Sequence, residues 1–328
     1  MDGECSEPFV SPKNVRSVKT VLISTAVILG VSFSWTLASQ LTKSCFHDDF
    51  HAPFFIVWFN TNFMMLCYPC YLLFSIGKSW GKIKTETFDK ENANQRSLHV
   101  ITIAFILYTL WTSANVLFSF SLGRLSASAS TSLISSNVFM VFILSRVFLN
   151  EEYTLRKTLS TALAVIGVVI ISCDKEFAGD LLGMVSIIFA AFFASLYRVI
   201  FKKVVGNARL GRVSFVLSLL GFLNLILNVI PVILLYILNV EIINLHKIPW
   251  YYVIGSALLN MTYNFVVNFS IALITPLFVT IGALFGIPLN MIIDILFNGM
   301  QISYGFIIGS ALILTSLIIN LNLNSLEK

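Results

Sequence analysis

Ten apolar runs follow one another through this sequence, separated only by short polar joints. They lie at about residues 20–41, 52–77, 98–121, 126–149, 155–172, 181–202, 213–238, 249–271, 275–298 and 303–323. A bilayer core about 30 Å thick is crossed by roughly 20 helical residues, so each run is a candidate span. The runs are too long for the alternating strands of a membrane barrel. Composition agrees: 57% of residues are hydrophobic and 11% charged, where a soluble domain has about 25% charged. The chain reads as an all-α polytopic membrane protein, with the lipid bilayer as its first partner.

Residues 1–18 are polar and lack the apolar core and cleavage site of a signal peptide, so the first run serves as an uncleaved anchor. Lys and Arg then fix the topology. With the N-terminus inside, sixteen fall on inner segments: Lys13, Arg16, Lys19, Lys78, Lys82, Lys84, Lys90, Arg96, Arg146, Arg156, Lys157, Lys202, Lys203, Arg209, Arg212 and Lys328. Four, Lys43, Arg124, Lys175 and Lys247, fall outside, and Arg198 lies within the sixth span. That asymmetry is the positive-inside bias and predicts ten spans with both termini cytosolic. It also accounts for the net charge of +5 without a nucleic-acid partner.

Residues 145–170 align with residues 293–318 at a constant offset, Asn150 falling on Asn298. Ten spans in two halves give five per half, and an odd number forces the second half to enter the membrane inverted. The expected organisation is a tail over 1–18, a first five-helix repeat over 19–172, a second over 181–323 and a tail over 324–328.

The ninth run, 275–298, carries Asp294, the one acidic residue inside an apolar segment. A charge at bilayer depth costs about 2.5–3.5 kcal/mol on insertion scales, so it needs a partner or a purpose. Gly282, Gly286, Asn290 and Asp294 recur every four residues and share one helix face. The two glycines invite close approach of another helix, Pro276 suits a helix's first turn, and Pro288 removes the N–H that would serve the Leu284 carbonyl. The expectation is one helix lining an internal cavity, with Asp294 as counter-charge for a cationic solute or as a proton carrier.

Other polar residues form stripes. Asn260, Asn264 and Asn268 share a face of span eight, Asn224 and Asn228 lie in span seven, and Ser128, Ser132 and Ser136 precede Asn137 in span four. Such residues also act as glue between membrane helices, at about 0.6 kcal/mol per hydrogen bond; that reading suits the serines, while three amides on one face equally suit a cavity wall. Trp35, Trp58 and Trp111 lie deep enough to offer faces to a flat or cationic ligand, and packing is the competing role for each. Trp80, Trp250, Tyr251 and Tyr252 sit at span ends as interfacial anchors. Arg198 is expected to snorkel to the inner headgroups. Cys67-Tyr-Pro-Cys70 lies in an apolar run without a second ligand pair, and Cys45-Phe-His-Asp-Asp-Phe-His51 has no matching cluster, so no metal and no cofactor are expected. The five cysteines give no disulfide framework. No nucleophile–base set or phosphate loop is present, which argues against an enzyme.

Specific residues add a resemblance. Ser34-Trp35 with Gln40, Ala52-Pro53-Phe54-Phe55 with Trp58-Phe59 and Thr61-Asn62, Asn115, Leu196-Tyr197-Arg198 with Phe201-Lys202, Pro249-Trp250, the pair Asn264 and Asn268, and Thr275-Pro276 through Pro288, Asn290 and Asp294 together resemble the drug/metabolite transporter superfamily. Within it the chain is similar to solute carrier family 35, subfamily F, the thiamine-transporter-like branch, over about 34–320. It departs from that branch at Ala129, where an acidic residue is usual, and at Val138, where a lysine is.

The resemblance implies an EamA-like fold of ten helices in two inverted repeats, working by alternating access on a small-molecule substrate. It implies substrate contacts at Trp35, Gln40, Trp58, Asn62, Asn115, Asn137, Tyr197, Asn264, Asn268, Asn290 and Asp294. A carboxylate, amides and tryptophans suit a singly cationic solute such as thiamine better than a nucleotide-sugar, whose phosphates call for cavity cations. The alternatives are a nucleotide-sugar or nucleobase- or nucleoside-type solute carried across an internal membrane, and a non-transporting receptor or scaffold on the same fold. The implied location is the plasma membrane or a Golgi or endosomal membrane, and a homodimer is left open.

Overall fold

The computed structural model describes residues 13–46, 50–77, 79–87, 97–125, 127–152, 154–172, 180–206, 209–244, 247–298 and 303–326. Residues 1–12 of the tail expected over 1–18, residues 47–49 of the histidine-containing loop and the last two residues lie outside them, while residues 13–18 of that tail are helical. The helices of the N-terminal part are α1 (Lys13–Cys45), α2 (Pro53–Asn62), α3 (Cys67–Phe74), α4 (Trp80–Thr87), α5 (Ser97–Arg124), α6 (Ala127–Ile134), α7 (Asn137–Leu149) and α8 (Leu155–Ser172). Those that follow are α9 (Leu181–Val205), α10 (Leu210–Leu227), α11 (Val229–Ile237), α12 (Trp250–Leu273), α13 (Pro276–Ala283), α14 (Gly286–Asn298) and α15 (Tyr304–Leu326). Among the described residues, six segments are long and apolar enough to cross a bilayer: Pro53–Phe74, Thr102–Arg124, Ala129–Leu149, Leu181–Val205, Leu210–Ile237 and Pro276–Phe297. Large apolar side chains such as Phe74, Leu155 and Phe297 are exposed on the bundle's outside, which suits a lipid solvent.

Four of the runs read as single helices are broken, and two of these, spans four and nine, are broken alike. Span four divides into eight-residue α6, a turn at Ser135–Ser136 and thirteen-residue α7. Span nine divides into eight-residue α13, a turn at Leu284–Phe285 and thirteen-residue α14. At the first break Ser135, Ser136 and Val138 N–H groups donate three residues back, to Ser132, Leu133 and Ser135 carbonyls. At the second, Leu284, Phe285 and Ile287 do the same to Ile281, Gly282 and Leu284. Each break is thus a stretch of 3₁₀ hydrogen bonding, which tightens the backbone. The Leu284 carbonyl expected to be orphaned by Pro288 is taken up by the Ile287 N–H at 2.9 Å. The second break therefore frees no carbonyl at Leu284.

Other prolines follow the same accounting. Pro69 denies the Met65 carbonyl its helical donor, and the Ser218 hydroxyl of α10 donates to that oxygen at 2.9 Å. Pro276 does the same to Ala272, whose carbonyl accepts from Lys202 Nζ at 2.8 Å. The Thr275 side chain caps α13 by accepting from the Phe278 N–H. Span two is interrupted by a 3₁₀ turn over Phe63–Leu66 and span seven by Asn228.

Glycine sets the two closest crossings. A Cβ at Gly309 would lie 2.7 Å from the Gly167 carbonyl oxygen, and a Cβ at Gly167 2.7 Å from that of Gly309. Further along the same crossing of α8 and α15, Ser160 donates to the Ser316 carbonyl at 3.0 Å and Ser316 to that of Ser160 at 2.7 Å. The contact is reciprocal, as around a local two-fold axis. In the second crossing a Cβ at Gly221 of α10 would meet the Met65 nitrogen at 2.6 Å.

One departure from an all-α fold is small. Strands β1 (Phe50–His51) and β2 (Ile242–Ile243) pair antiparallel, Phe50 opposite Ile243. Beside them Glu241 accepts from the Phe54 N–H at 2.6 Å and the Phe55 N–H at 3.2 Å, filling the N-terminus of α2. Burial pushes the Glu241 carboxyl above its ordinary value, and the two N–H donors offset this only in part. A raised folded-state value means the folded chain holds the proton more tightly. The contribution of this group to stability is therefore largest below about pH 4.5, the ordinary glutamate range, and declines as pH rises through the folded value. As pH rises from about 4 to 7 the thermal midpoint of the wild type should fall relative to that of Glu241→Gln, which does not titrate at this position.

Candidate functional site

α1, α5, α6, α7, α9, α12 and α13 line a partly open cavity between them. Both helix breaks reach it: Ser135 and Asn137 from the first, Ala283 and Leu284 from the second. Its walls are aromatic. Trp35 packs against Phe118 and Tyr263 with ring centroids 4.8 Å apart in each case, and Trp111 packs against Tyr197 at 5.2 Å. A smaller adjoining space shares Trp35, Asn115 and Phe118 and adds Ser39, Thr42, Asn60 and Asn260.

Six of the residues expected at the site line the larger cavity: Trp35, Asn115, Asn137, Tyr197, Asn264 and Asn268. The Asn stripe of span eight forms a ladder along α12. Asn268 Nδ2 donates to the Asn264 carbonyl at 2.8 Å and Asn264 Nδ2 to the Asn260 side chain at 2.6 Å. Tyr197 adds its hydroxyl to Asn268 Oδ1 at 3.0 Å. Asn264 Oδ1 and the Trp111 indole N–H are buried and have no protein partner.

The other five lie in contacts between helices. Asn62 accepts from Asn224 Nδ2 at 2.7 Å, and the same amide donates to the Trp58 carbonyl. The Trp58 indole N–H is buried without a partner, away from both spaces. Gln40, Asn290 and Asp294 form one cluster, Gln40 Nε2 donating to Asn290 Oδ1 at 3.1 Å and to Asp294 Oδ1 at 3.0 Å. The four-residue stripe faces α1 along its whole length: Ser32 donates to the Gly282 carbonyl and Thr36 to that of Gly286. Asp294 is 2% exposed, and its charge acts on the Lys43 ammonium. Lys43 Nζ also donates to the Leu122 and Leu125 carbonyls at 2.7 and 2.8 Å.

The residue that sequence reasoning misplaced is Arg198. It lines the cavity and is 9% exposed, its guanidinium donating to Thr280 Oγ1 at 2.8 Å and to the Tyr263 hydroxyl at 3.2 Å. Snorkelling fails because α9 continues to Val205. Seven further residues at 1.5 Å each put Arg198 about 10 Å inside the helix end. Thr131, Tyr263 and Thr280 also line the cavity; an apolar run gave no reason to single them out.

Helices of membrane-spanning length gathered around an aromatic-walled cavity define a multi-pass membrane protein. Residues 22–173 match the EamA-like transporter family. Solute carrier family 35 member F3 of Homo sapiens is 31% identical over 310 residues, covering 90% of this chain and 73% of its own length. Solute carrier family 35 member F4 of Mus musculus is 29% identical over 280 residues, covering 82% of this chain and 57% of itself. A vacuolar membrane protein of Saccharomyces cerevisiae is 24% identical over 349 residues, covering 90% and 88%. A solved crystal structure superposes with a TM-score of 0.63 at 11% identity, over 92% of this chain and 98% of that one, a likeness of fold. The chain belongs to solute carrier family 35, subfamily F, of the drug/metabolite transporters, and is a membrane solute transporter.

Proposed function

We propose that the chain carries a small, planar organic solute by alternating access, through ten spans in two inverted five-helix halves, 19–172 and 181–323, with both ends cytosolic. One observation carries this reading: two helices broken with the same proportions and the same 3₁₀ pattern, both opening onto one cavity. In carriers built from inverted repeats, discontinuous helices at corresponding positions flank the substrate. The reciprocal crossing of α8 and α15 supports the same symmetry, since these are the closing helices of the two halves.

The flat solute follows from the Trp35–Phe118–Tyr263 and Trp111–Tyr197 walls. A cationic, thiamine-like solute was expected on the premise that Asp294 faced the cavity while Arg198 lay at its rim. The packing of Asp294 against α1 and the place of Arg198 in the cavity wall support a different charge preference. A nucleotide-sugar fits less well, because several phosphate charges would meet a single guanidinium.

Topology is tested by single cysteines in a background freed of native ones. A membrane-impermeant thiol reagent applied outside right-side-out vesicles should label Asn239→Cys and spare Thr85→Cys until the membrane is opened. Labelling of Thr85→Cys from outside would overturn the arrangement. Counterflow of labelled solutes into proteoliposomes tests carriage; binding without translocation would instead favour a receptor on this fold.

A further inference from the structure

The cavity wall contains one charged side chain among the described residues, and it is a cation with no anion. Arg198 is nine-tenths buried, and both of its partners, Thr280 and Tyr263, are neutral hydroxyls. No Asp or Glu lines the space. The nearest intramembrane carboxylate, Asp294, belongs to the Gln40 and Lys43 cluster outside it. A buried guanidinium without a counter-ion is costly, and such intramembrane charges mark substrate pathways. A purely structural arginine bridging α9, α12 and α13 would gain more from a carboxylate at Thr280 or Tyr263.

We infer that the missing anion is the substrate's: the chamber takes an aromatic or heteroaromatic monoanion whose carboxylate-like group pairs with Arg198. This rests on the carrier reading and specifies its cargo. A planar guanidinium matches a carboxylate through two parallel hydrogen bonds. One cation sets one negative charge, since a second would face only amides and rings. The ring of the solute lies between the Trp35 and Trp111 walls. The indole N–H of Trp111 and Oδ1 of Asn264, both buried and without protein partners, then call for one acceptor and one donor on the solute.

The test uses the purified full chain and two series, each built on one ring with a negative, a neutral and a positive member. The first is nicotinate, nicotinamide and 1-methylnicotinamide; the second is indole-3-acetate, indole-3-acetamide and tryptamine. Shifts in thermal midpoint with concentration give binding, and counterflow in proteoliposomes gives carriage. In at least one series the carboxylate should bind about tenfold or more tighter than both other members, the margin of a charge-assisted pair over a neutral one. Arg198→Gln should abolish that preference, and Arg198→Lys should retain part of it. Without ligand, Arg198→Gln should keep or raise the thermal midpoint, because it removes an uncompensated charge; a merely structural arginine would lower it.

Equal or better binding of the amide or the cation in both series overturns the assignment, as does discrimination that survives Arg198→Gln. So does the failure of every member to bind. Carriage of a neutral or cationic member alone would overturn the anion and leave the carrier reading standing. A carboxylate that binds through Arg198 without crossing would support the anion and overturn carriage.

Discussion

Replacing Gly309 with leucine is expected to cost the protein its fold. A Cβ at this position would sit 2.5 Å from Ile171 Cγ1 and 2.7 Å from the Gly167 carbonyl oxygen. The isoleucine tip can rotate, but the carbonyl belongs to a helix backbone and cannot. The two helices must separate, and the reciprocal Ser160–Ser316 bonds go with their contact. Overpacking by a few methylenes costs about 1–3 kcal/mol and occasionally more; alanine's Cβ against the carbonyl falls in that range, and leucine's three further carbons go beyond it because the helices must part to admit them. Against a total stability of about 5–15 kcal/mol, Gly309→Ala should lower the thermal midpoint of a folded protein. Gly309→Leu should elute as aggregate in size-exclusion chromatography; a monodisperse leucine variant with the wild-type midpoint would show that the crossing is looser than its geometry.

Asp294→Ala should be destabilising to a similar degree, and by a different route. The carboxylate is 2% exposed, accepts from Gln40 and offers its charge to Lys43. Removing one partner of a buried charged cluster leaves the others without compensation, at about 3–5 kcal/mol. Asp294→Asn should recover part of the loss by keeping an acceptor for Gln40. Substrate affinity in the folded fraction of either variant should match the wild type, since Asp294 stands outside the cavity wall. Normal stability together with lost affinity would return Asp294 to the role of substrate counter-charge.

Much of the frame was legible because membrane folding is dominated by one variable, depth. Apolar length located the helical segments, Thr275–Pro276 located the start of α13 with its cap, and the four-residue stripe correctly grouped Gly282, Gly286, Asn290 and Asp294 on one face. What the stripe did not reveal was the identity of its neighbour. A face that packs on α1 and a face that lines water have the same periodicity, so Asp294 read as cavity-lining when it faces α1 instead. The break at Ser135–Ser136 was missed because it contains neither Pro nor Gly. Its 3₁₀ bonds follow a run of serines and threonine whose hydroxyls compete for backbone carbonyls, as Ser135 does at Thr131 over 2.6 Å. Arg198 was misplaced by three residues of helix length, enough to turn an interfacial cation into a buried one. Asn224 and Asn228 show the opposite case. Their amides join α10 to α2 and to each other, as glue between helices does.

The two breaks also determine where the bundle is cheapest to deform. In each, an N–H already bonded three residues back has a carbonyl four residues back within a small rotation, so 3₁₀ and α pairing differ by an exchange of acceptors. At the second break the Leu284 N–H uses the Ile281 oxygen, and α pairing would move it to that of Thr280, four residues back. Passing from one to the other winds or unwinds a fraction of a turn while the number of bonds is conserved. The thirteen-residue α7 and α14 would then swivel as rigid rods about points on the chamber wall, with Asn137 and Gly286 at their inner ends. Thr280, which receives Arg198's hydrogen bond, lies in the last turn of α13 before the second swivel. A pull on the guanidinium by a bound solute is therefore applied within one helical turn of the joint it would have to turn.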